Sequence, residues 1–231
     1  MSIKKEYKKG DDSLMKATNK KDIIFKRNKA LSEKVASALR SRGFDAYICD
    51  TGDEAASLAL SIIPEGSSVS WGGSYSIQEI GLVDKIRSGN YRVLDRDATA
   101  TPEKRWEMMI KALSADVFLT SFNAVSEDGI LYNIDGIGNR IAAIIYGPRM
   151  VVAIVGMNKV CPTKEDAYAR ARGYAAPVNA ARFGGGTPCV ATGSCEDCRS
   201  PDSICSHIVE TRMCRPAGRI KIILVNEELG F

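Results

Sequence analysis

The sequence predicts an α/β fold, a mostly parallel sheet with helices on both faces, plus an irregular Cys-rich C-terminal segment. Short apolar runs typical of strands alternate with segments in which apolar residues recur at helical spacing. Strands that alternate with helices usually pair in parallel, so helices must cover both faces of the sheet. The alternation stops over 177–216, where Gly, Pro, Ser and Cys predominate.

The first half of the chain carries clear helix and strand signals. Ile24, Leu31, Val35 and Leu39 recur at helical spacing, and Gly43 follows as a C-cap. In chain order we predict a helix over 20–42, a strand over 44–49, a helix over 53–62 capped by Thr51 or Asp53, a strand over 68–71, a helix through Ile77, Ile80 and Leu82, and a strand over 91–94.

The second half continues the alternation. Pro102 suits the first turn of a helix, because the N–H that proline lacks would have no partner there. The remaining predicted elements are a helix over 102–113, a strand over 116–120, a helix over 141–146, a strand over 151–155, a helix over 165–172 and a strand over 219–225.

Composition limits the classes of protein that fit. The chain has 231 residues, 45% hydrophobic and 26% charged, which suits one large soluble domain. No apolar run approaches the ~18 residues of a membrane helix. The N-terminus also lacks the apolar stretch of a secretory signal. These features predict a cytoplasmic protein, whose cysteines stay reduced unless they bind metal or carry out redox chemistry.

The net positive charge comes from the N-terminus. The formal net charge is +4, and residues 1–30 hold ten Lys or Arg against four Asp or Glu. Such a run usually forms a solvated tail and helix face, so no nucleic-acid partner is expected. We predict a Lys-rich N-terminal tail over 1–19 and one domain over 20–231, with the Cys-rich insertion at 177–216.

The cysteine spacing in this insertion predicts a metal site. Five of the seven cysteines lie there, at Cys189, Cys195, Cys198, Cys205 and Cys214. A tight turn between Cys195 and Cys198 suits two thiolates at one metal, with Cys189 and Cys205 as third and fourth ligands. Cys214 and His207, the sole histidine, are alternates. Four thiolates suit zinc or an iron–sulfur cluster, and free or redox-active thiols are the competing interpretation.

Glycines and polar residues gather where two predicted strands end. Gly72-Gly73-Ser74 could present backbone N–H groups to an anion, although a plain tight turn explains it equally well. Carboxyl ends of parallel strands meet at one edge of the sheet, where ligands bind. The candidate ligand-binding residues are Gly72, Gly73, Ser74, Asn123, Asp135, Gly136, Gly138, Asn139 and Arg140.

The loop over 135–140 gives the stronger signal. Arg140 could clamp a phosphate or carboxylate, and Gly138-Asn139 could open a helix toward an anion. The alternative is that Asp135 caps that helix and Arg140 forms a structural ion pair. Arg149 is a second cation or simply exposed. The candidate catalytic acids and bases are Glu79, Asp135 and, only if the Asp128-Gly129 turn faces the cleft, Glu127.

An ordered string of motifs spans the chain: Trp71-Gly72-Gly73-Ser74, Glu79-Ile80-Gly81, 120–125, Asp128-Gly129, 135–140, Tyr146-Gly147-Pro148 and 155–159. Together these motifs resemble the LUD domain, the lactate-utilization family that includes the LutC-type proteins. The resemblance runs from about Lys20 to Phe231. It implies a NagB/RpiA/CoA-transferase-like fold and a role in the oxidation of L-lactate to pyruvate with iron–sulfur partner proteins. The Cys-rich insertion is a departure from a simple LutC equivalent.

Two functions therefore compete. In the first, a LUD-type protein helps oxidise L-lactate or a similar small hydroxy acid to the keto acid, and the cysteines hold an iron–sulfur cluster. In the second, the protein binds or converts a phosphorylated sugar or CoA-like ligand, and the cysteines hold structural zinc. An accessory subunit without activity of its own is a third possibility. Both main hypotheses require a small anionic ligand, and a homodimer is expected only on general grounds.

Overall fold

The helices and strands alternate along most of the chain. The computed structural model describes residues 19–231, so the predicted tail lies outside the described residues except for Asn19. Within that range the strands are β1 (Asp45–Cys49), β2 (Ser68–Trp71), β3 (Arg92–Leu94), β4 (Val117–Thr120), β5 (Ala124–Ser126), β6 (Leu131–Asp135), β7 (Met150–Gly156), β8 (Val160–Cys161), β9 (His207–Thr211) and β10 (Ile220–Val225). The helices are α1 (Lys20–Ser41), α2 (Gly52–Ile62), α3 (Tyr75–Glu79), α4 (Leu82–Ser88), α5 (Pro102–Ala112), α6 (Asn139–Ile145), α7 (Lys164–Arg170), α8 (Ala176–Ala181) and α9 (Pro188–Thr192).

The main sheet has six strands in the order β1-β10-β7-β4-β2-β3. Every neighbouring pair in it is parallel. Helices pack on both faces, because alternate residues of the buried strands point to opposite sides. One core contains Leu119 and Ile154 with residues of α2, α3 and α4. The other contains Phe118 and Val151 with residues of α1 and α6. The predicted α/β fold with a parallel, doubly covered sheet is confirmed.

Local sequence signals set several helix starts. Thr51 caps α2 by accepting a hydrogen bond from the backbone N–H of Glu54 at 3.3 Å. Thr101 does the same for Lys104 at the start of α5, where Pro102 occupies the first turn. These elements begin and end within one or two residues of the predicted positions.

A second, smaller sheet was missed by the sequence analysis. Its order is β8-β5-β6-β9, in which β5–β6 and β6–β9 are antiparallel and β5–β8 is parallel. β5 has three residues and β8 has two. β6 is buried at every position, so it shows no alternation of polar and apolar residues. Strands this short, or without periodicity, leave no clear pattern in the sequence.

Three further stretches differ from the prediction. The single helix expected through Ile77 and Leu82 is two helices, since Gly81 adopts a left-handed conformation (φ 66°) between them. The helix expected to end at Arg172 continues through a π-helical segment, Ala171–Ala175, into α8. The insertion over 177–216 contains part of α8, α9 and β9, so it is less irregular than expected. Among residues 19–231, no helix has the length and apolar character needed to cross a membrane.

Candidate functional site

A cleft opens at the carboxyl ends of the central strands. Gly73 follows β2, Asp135 ends β6, and α8 supplies Asn179 on the opposite wall. The cleft has a volume of about 280 Å³. We call it the arginine cleft, after Arg96, Arg105, Arg140 and Arg182 in its lining. It lies where ligands of parallel α/β proteins bind.

The arginine cleft carries an excess of positive charge. Asp135 is the one carboxylate among the described residues that line it. Arg105 pairs with Asp97 at 2.8 Å, just outside the lining, whereas the Nε of Arg96 is 3.7 Å from the same carboxylate. That Nε is buried and has no hydrogen-bond partner among the described residues. A buried N–H without an acceptor is costly, and the charge of the nearby Asp97 carboxylate offsets part of that cost.

Arg182 stands at the mouth of the cleft and meets only neutral groups among residues 19–231. It donates to the backbone oxygen of Gly73 at 3.0 Å and to the side-chain oxygen of Asn179 at 2.9 Å. Its guanidinium lies 4.1 Å from the ring centroid of Tyr75, which fixes its plane by a cation–π contact. Arg182 was not predicted, because it lies in the segment without clear periodicity.

Asp135 and Arg140 form a structural pair. Asp135 Oδ1 accepts the backbone N–H of Gly138 at 2.9 Å, and Oδ2 accepts Arg140 Nε at 3.0 Å. Arg140 also donates to the backbone oxygen of Ile134 and, at 3.3 Å, to Asn123 Oδ1. The geometry thus corresponds to the alternative in which Asp135 caps α6 and Arg140 is ion-paired. Both side chains still line the cleft.

The other predicted ligand-binding residues gather around this pair. A Cβ on Gly72 would lie 3.3 Å from Cδ of Arg140, and one on Gly73 would lie 3.2 Å from a terminal nitrogen of Arg96. These glycines therefore make space for the two arginines. Gly136 and Asn139 line the cleft, whereas Gly138 lines a neighbouring apolar groove. Ser74 lies deeper, and its Oγ is buried without a partner among the described residues.

The catalytic candidates do not converge. Glu127 pairs with Lys34 of α1 and does not line the arginine cleft, so the condition for its catalytic role, a turn that faces the cleft, is not met. Glu79 accepts the backbone N–H of Gly230 at 2.6 Å and lines a separate polar cavity beside Arg170. Asp135 alone of the three lies in the arginine cleft.

Lys159 is a site residue that the sequence analysis missed. It is 3% exposed, and its Nζ donates to Ser76 Oγ at 2.8 Å and Ser121 Oγ at 2.9 Å. Burial, and next the charges of Arg170 and Arg140, lower the pKa of Lys159 to about 7. It follows β7, on the same strand edge as the cleft. The one available signal was its place at the end of the motif over 155–159.

The four predicted metal ligands line one cavity. Cys189, Cys195, Cys198 and Cys205 surround a space of about 50 Å³, which we call the cysteine cavity. Burial raises the pKa of the Cys205 thiol, and the charges of the neighbouring thiols raise it further. Among residues 19–231, however, no group of three or more His, Cys, Asp or Glu side chains is arranged to hold a metal ion. The thiols share a cavity but do not meet at one point.

Polar groups surround individual thiols of this cavity. Arg172 donates to Cys195 Sγ at 3.3 Å and to Asp197 at 2.7 Å. The backbone N–H of Asp197 and the Arg172 guanidinium lower the pKa of Cys195. Thr187 Oγ1 lies 3.3 Å from Cys189 Sγ. These contacts therefore favour the thiolate form of Cys195, the form that binds metals.

The two alternate ligands lie elsewhere. Cys214 is 3% exposed, packs in the main core and hydrogen-bonds to backbone atoms of Pro216 and Ile220. His207 lies against Gly138 and lines the apolar groove with Trp106. Neither lines the cysteine cavity, so the structure places both alternates away from the four thiols.

Comparison with known proteins identifies the family. The model of the LUD domain matches residues 32–225. The chain belongs to the LUD domain family. At the family level it is therefore related to lactate utilization, as the motif order predicted.

Two solved structures are similar to this LUD domain. A DUF162 family protein from Deinococcus radiodurans is 12% identical, with 86% of this chain and 98% of that chain covered and a TM-score of 0.49. The β subunit of eIF2B from Chaetomium thermophilum is 19% identical, with 50% and 44% covered and a TM-score of 0.37. No curated protein matches the chain.

The LUD motifs meet at one edge of the main sheet. The Trp71–Ser74 motif ends β2, the motif over 120–125 follows β4, and the motif over 155–159 follows β7. The loop over 135–140 joins β6 to α6 beside them. Residues that are far apart in sequence thus form the arginine cleft and the small cavity that adjoins it.

Proposed function

We propose that this LUD protein takes part in the oxidation of L-lactate, or a similar small hydroxy acid, to the keto acid. In this proposal the carboxylate of the ligand binds in the arginine cleft. The observation that carries the proposal is the Arg182 guanidinium, which lines the cleft and has no carboxylate within salt-bridge distance among the described residues. A ligand carboxylate would satisfy that donor, and charge-assisted hydrogen bonds are about twice as strong as neutral ones.

The lining of the cleft suits a small carboxylate. Arg182 contributes a guanidinium that no carboxylate of residues 19–231 neutralises, and Tyr75 holds it in place. Met109 and Ile204 supply apolar wall that would exclude water from the ligand. In such a site ion pairs are stronger than in water. The Asp135–Arg140 pair keeps the wall in position and is not available as a free acid.

The cysteine cavity supports a redox role beside this ligand site. Ile204 lines both the cysteine cavity and the arginine cleft, and α8 separates them through Asn179 on one side and Ala180 on the other. Cys189, Cys195, Cys198 and Cys205 would hold an iron–sulfur cluster, which when bound supplies one-electron chemistry.

A second candidate function is binding of a phosphorylated sugar or CoA-like ligand, with structural zinc at the cysteines. The observation that favours it is the number of arginines, since four guanidiniums exceed what one carboxylate needs. Iron–sulfur partner proteins remain part of the first proposal only, because nothing among the described surfaces selects a partner.

A ligand thermal-shift experiment tests the proposal. L-lactate and pyruvate should raise the melting temperature of the wild-type protein, because they bind the folded state. Arg96→Met and Arg182→Met should each weaken binding by about tenfold or more, since each removes one charged hydrogen-bond donor. The unliganded melting temperature of each variant is measured first, so that lost stability is not mistaken for lost binding.

Arg149→Met is the matched control, because Arg149 is exposed and lines none of the described cavities. It should keep the wild-type ligand shift. Equal shifts in all four proteins would contradict binding in the arginine cleft. A shift with sugar phosphates and none with lactate or pyruvate would favour the second candidate.

A further inference from the structure

Lys159 is the one buried lysine in the described part of the chain, and the proposed function does not use it. Its Nζ touches two hydroxyls, Ser76 Oγ and Ser121 Oγ, and no carboxylate of residues 19–231 lies within salt-bridge distance. A buried ammonium without a counter-ion is strongly disfavoured, so burial favours the neutral amine. A neutral amine is a nucleophile, whereas an ammonium is not.

The charged groups around Lys159 act in the same direction. Arg170, from α7, and Arg140, from α6, both disfavour the ammonium, and Glu79, from α3, is the one charge that favours it. Glu79 is already hydrogen-bonded to the backbone N–H of Gly230. The two arginines therefore outweigh Glu79, and the Lys159 ammonium loses its proton near neutral pH.

Lys159 lines a small cavity that adjoins the arginine cleft. This cavity, of about 40 Å³, shares Gly73, Arg140, Asn179 and Arg182 with the cleft. Its volume suits a carbonyl group and a methyl group, not a whole sugar phosphate. A ligand whose carboxylate lies among the arginines could thus extend its neighbouring carbon toward Lys159.

Ser74 provides an independent sign of a missing ligand in the same cavity. It is 6% exposed, and its Oγ has no partner among the described residues. A buried hydroxyl without a partner costs free energy unless a ligand or a water binds it. The Ser74 hydroxyl and the Lys159 amine together make one end of this small cavity polar.

We infer that Lys159 captures the carbonyl group of a small 2-oxo acid as an imine. This inference rests on the proposed binding of small carboxylates in the arginine cleft. The Lys159 nitrogen attacks the carbonyl carbon, and a proton moves from that nitrogen to the carbonyl oxygen to give a carbinolamine. Loss of the hydroxyl group and the second nitrogen proton as water then forms the C=N bond, with no net oxidation or reduction.

Reductive trapping tests this inference on the full-length protein. The protein is incubated with pyruvate and cyanoborohydride, which delivers hydride to the imine carbon and leaves a stable secondary amine. Peptide mapping by mass spectrometry then locates the modified lysine. We expect Lys159 to be labelled on the order of a hundredfold faster than exposed lysines at pH 7, because a far larger fraction of its side chain is neutral.

The design contains controls for folding and for the ligand site. The wild-type peptide map needs no variant, so it stays informative even if Lys159→Met fails to fold. Lys34, exposed on α1, reports the background rate of labelling. Arg182→Met should slow labelling of Lys159 by pyruvate about tenfold, through loss of a carboxylate contact.

The outcomes separate this inference from the proposed function. Labelling concentrated at Lys159 and suppressed by excess L-lactate supports both. A pyruvate-induced thermal shift with no excess labelling at Lys159 overturns the imine and leaves the proposed function intact. Fast labelling of Lys159 by acetone as well as by pyruvate, with no effect of Arg182→Met, keeps the nucleophile and overturns the carboxylate site.

Discussion

The side chains that give the site its character are three cations with few anionic neighbours. Arg96 and Arg182 face the arginine cleft, and Lys159 closes the adjoining cavity. Arg96 donates to the sulfur of Met109 and lies 3.7 Å from the Asp97 carboxylate, and burial lowers its pKa. A protein keeps such uncompensated charges only at a cost in stability, which points to a functional reason.

Replacing Lys159 with methionine should change how stability depends on pH. The pKa of Lys159 is about 7 in the folded protein, below its ordinary value of 10.5, so the unfolded chain binds more protons between those values. The depressed pKa of Lys159 destabilises the folded protein by its full amount below about pH 7, and this destabilisation vanishes above about pH 10.5. We therefore expect the wild type to gain about 2–3 kcal/mol relative to Lys159→Met between pH 6 and pH 9.

Urea denaturation of both proteins at several pH values measures this difference. The comparison cancels the other titrating groups, which the two proteins share. A constant difference between the two free energies of unfolding across this pH range would mean that Lys159 keeps its ordinary pKa. Its side chain would then not be a neutral amine at pH 7.

At the scale of elements, the junction between β6 and α6 organises the cleft. Asp135 ends the strand and caps the helix, while Gly138 at the helix start has φ 88°, where a side chain would be strained. Arg140, in the first turn, ties the helix back to Asp135. The loop is therefore a rigid wall of the site.

Replacing Asp135 with asparagine should destabilise the protein by about 2–4 kcal/mol. Asparagine can still accept the Gly138 N–H, so the main loss is the charge that compensates the mostly buried Arg140. Asp84→Asn is the matched control, because its carboxylate is 82% exposed and its pair with Arg87 lies on the surface. That change should cost less than about 1 kcal/mol.

Equilibrium unfolding of both variants gives these values. Similar, small losses in the two proteins would show that the Asp135–Arg140 pair contributes little to the fold. In that case the two residues would again be candidates for direct ligand contact.

At the scale of the whole molecule, the cysteine cavity depends on segments that are distant in sequence. Arg172 comes from the π-helical segment after α7, Cys189 from α9, and Cys205 from the loop before β9. The arginine cleft adjoins this cavity across α8. The proximity of an anion site and four thiols is a property of the fold as a whole.

Purification under anaerobic conditions should yield protein with bound iron and sulfide and broad visible absorption. Cys195→Ser should lose most of that metal, since it removes one of four thiolates. Cys49→Ser is the control, because Cys49 is buried in the main core away from the cavity. Stoichiometric zinc in a colourless protein, or full metal in the Cys195 variant, would contradict the cluster.

A homodimer stays a prediction.

The sequence by itself determined the main parallel sheet and the family, but not the second, four-stranded sheet. Periodicity, caps such as Thr101-Pro102 and the motif order all follow from local chemistry, so the main sheet and the edge that carries the site could be predicted. The cysteine spacing predicted four ligands of one metal; these four thiols line one cavity, and the metal itself stays a prediction. Each of these features depends on residues that are close in sequence or on a recurring pattern.

Only the tertiary structure decided which polar residues are paired and which are free. Asp135 and Arg140 satisfy each other, Glu127 turns to α1, and Cys214 and His207 lie away from the thiols. Lys159 and Arg182 join the site because β7 and α8 bring them there from opposite sides. Burial and the presence of a counter-ion depend on neighbours distant in sequence, and these two quantities set the charge and reactivity of each side chain.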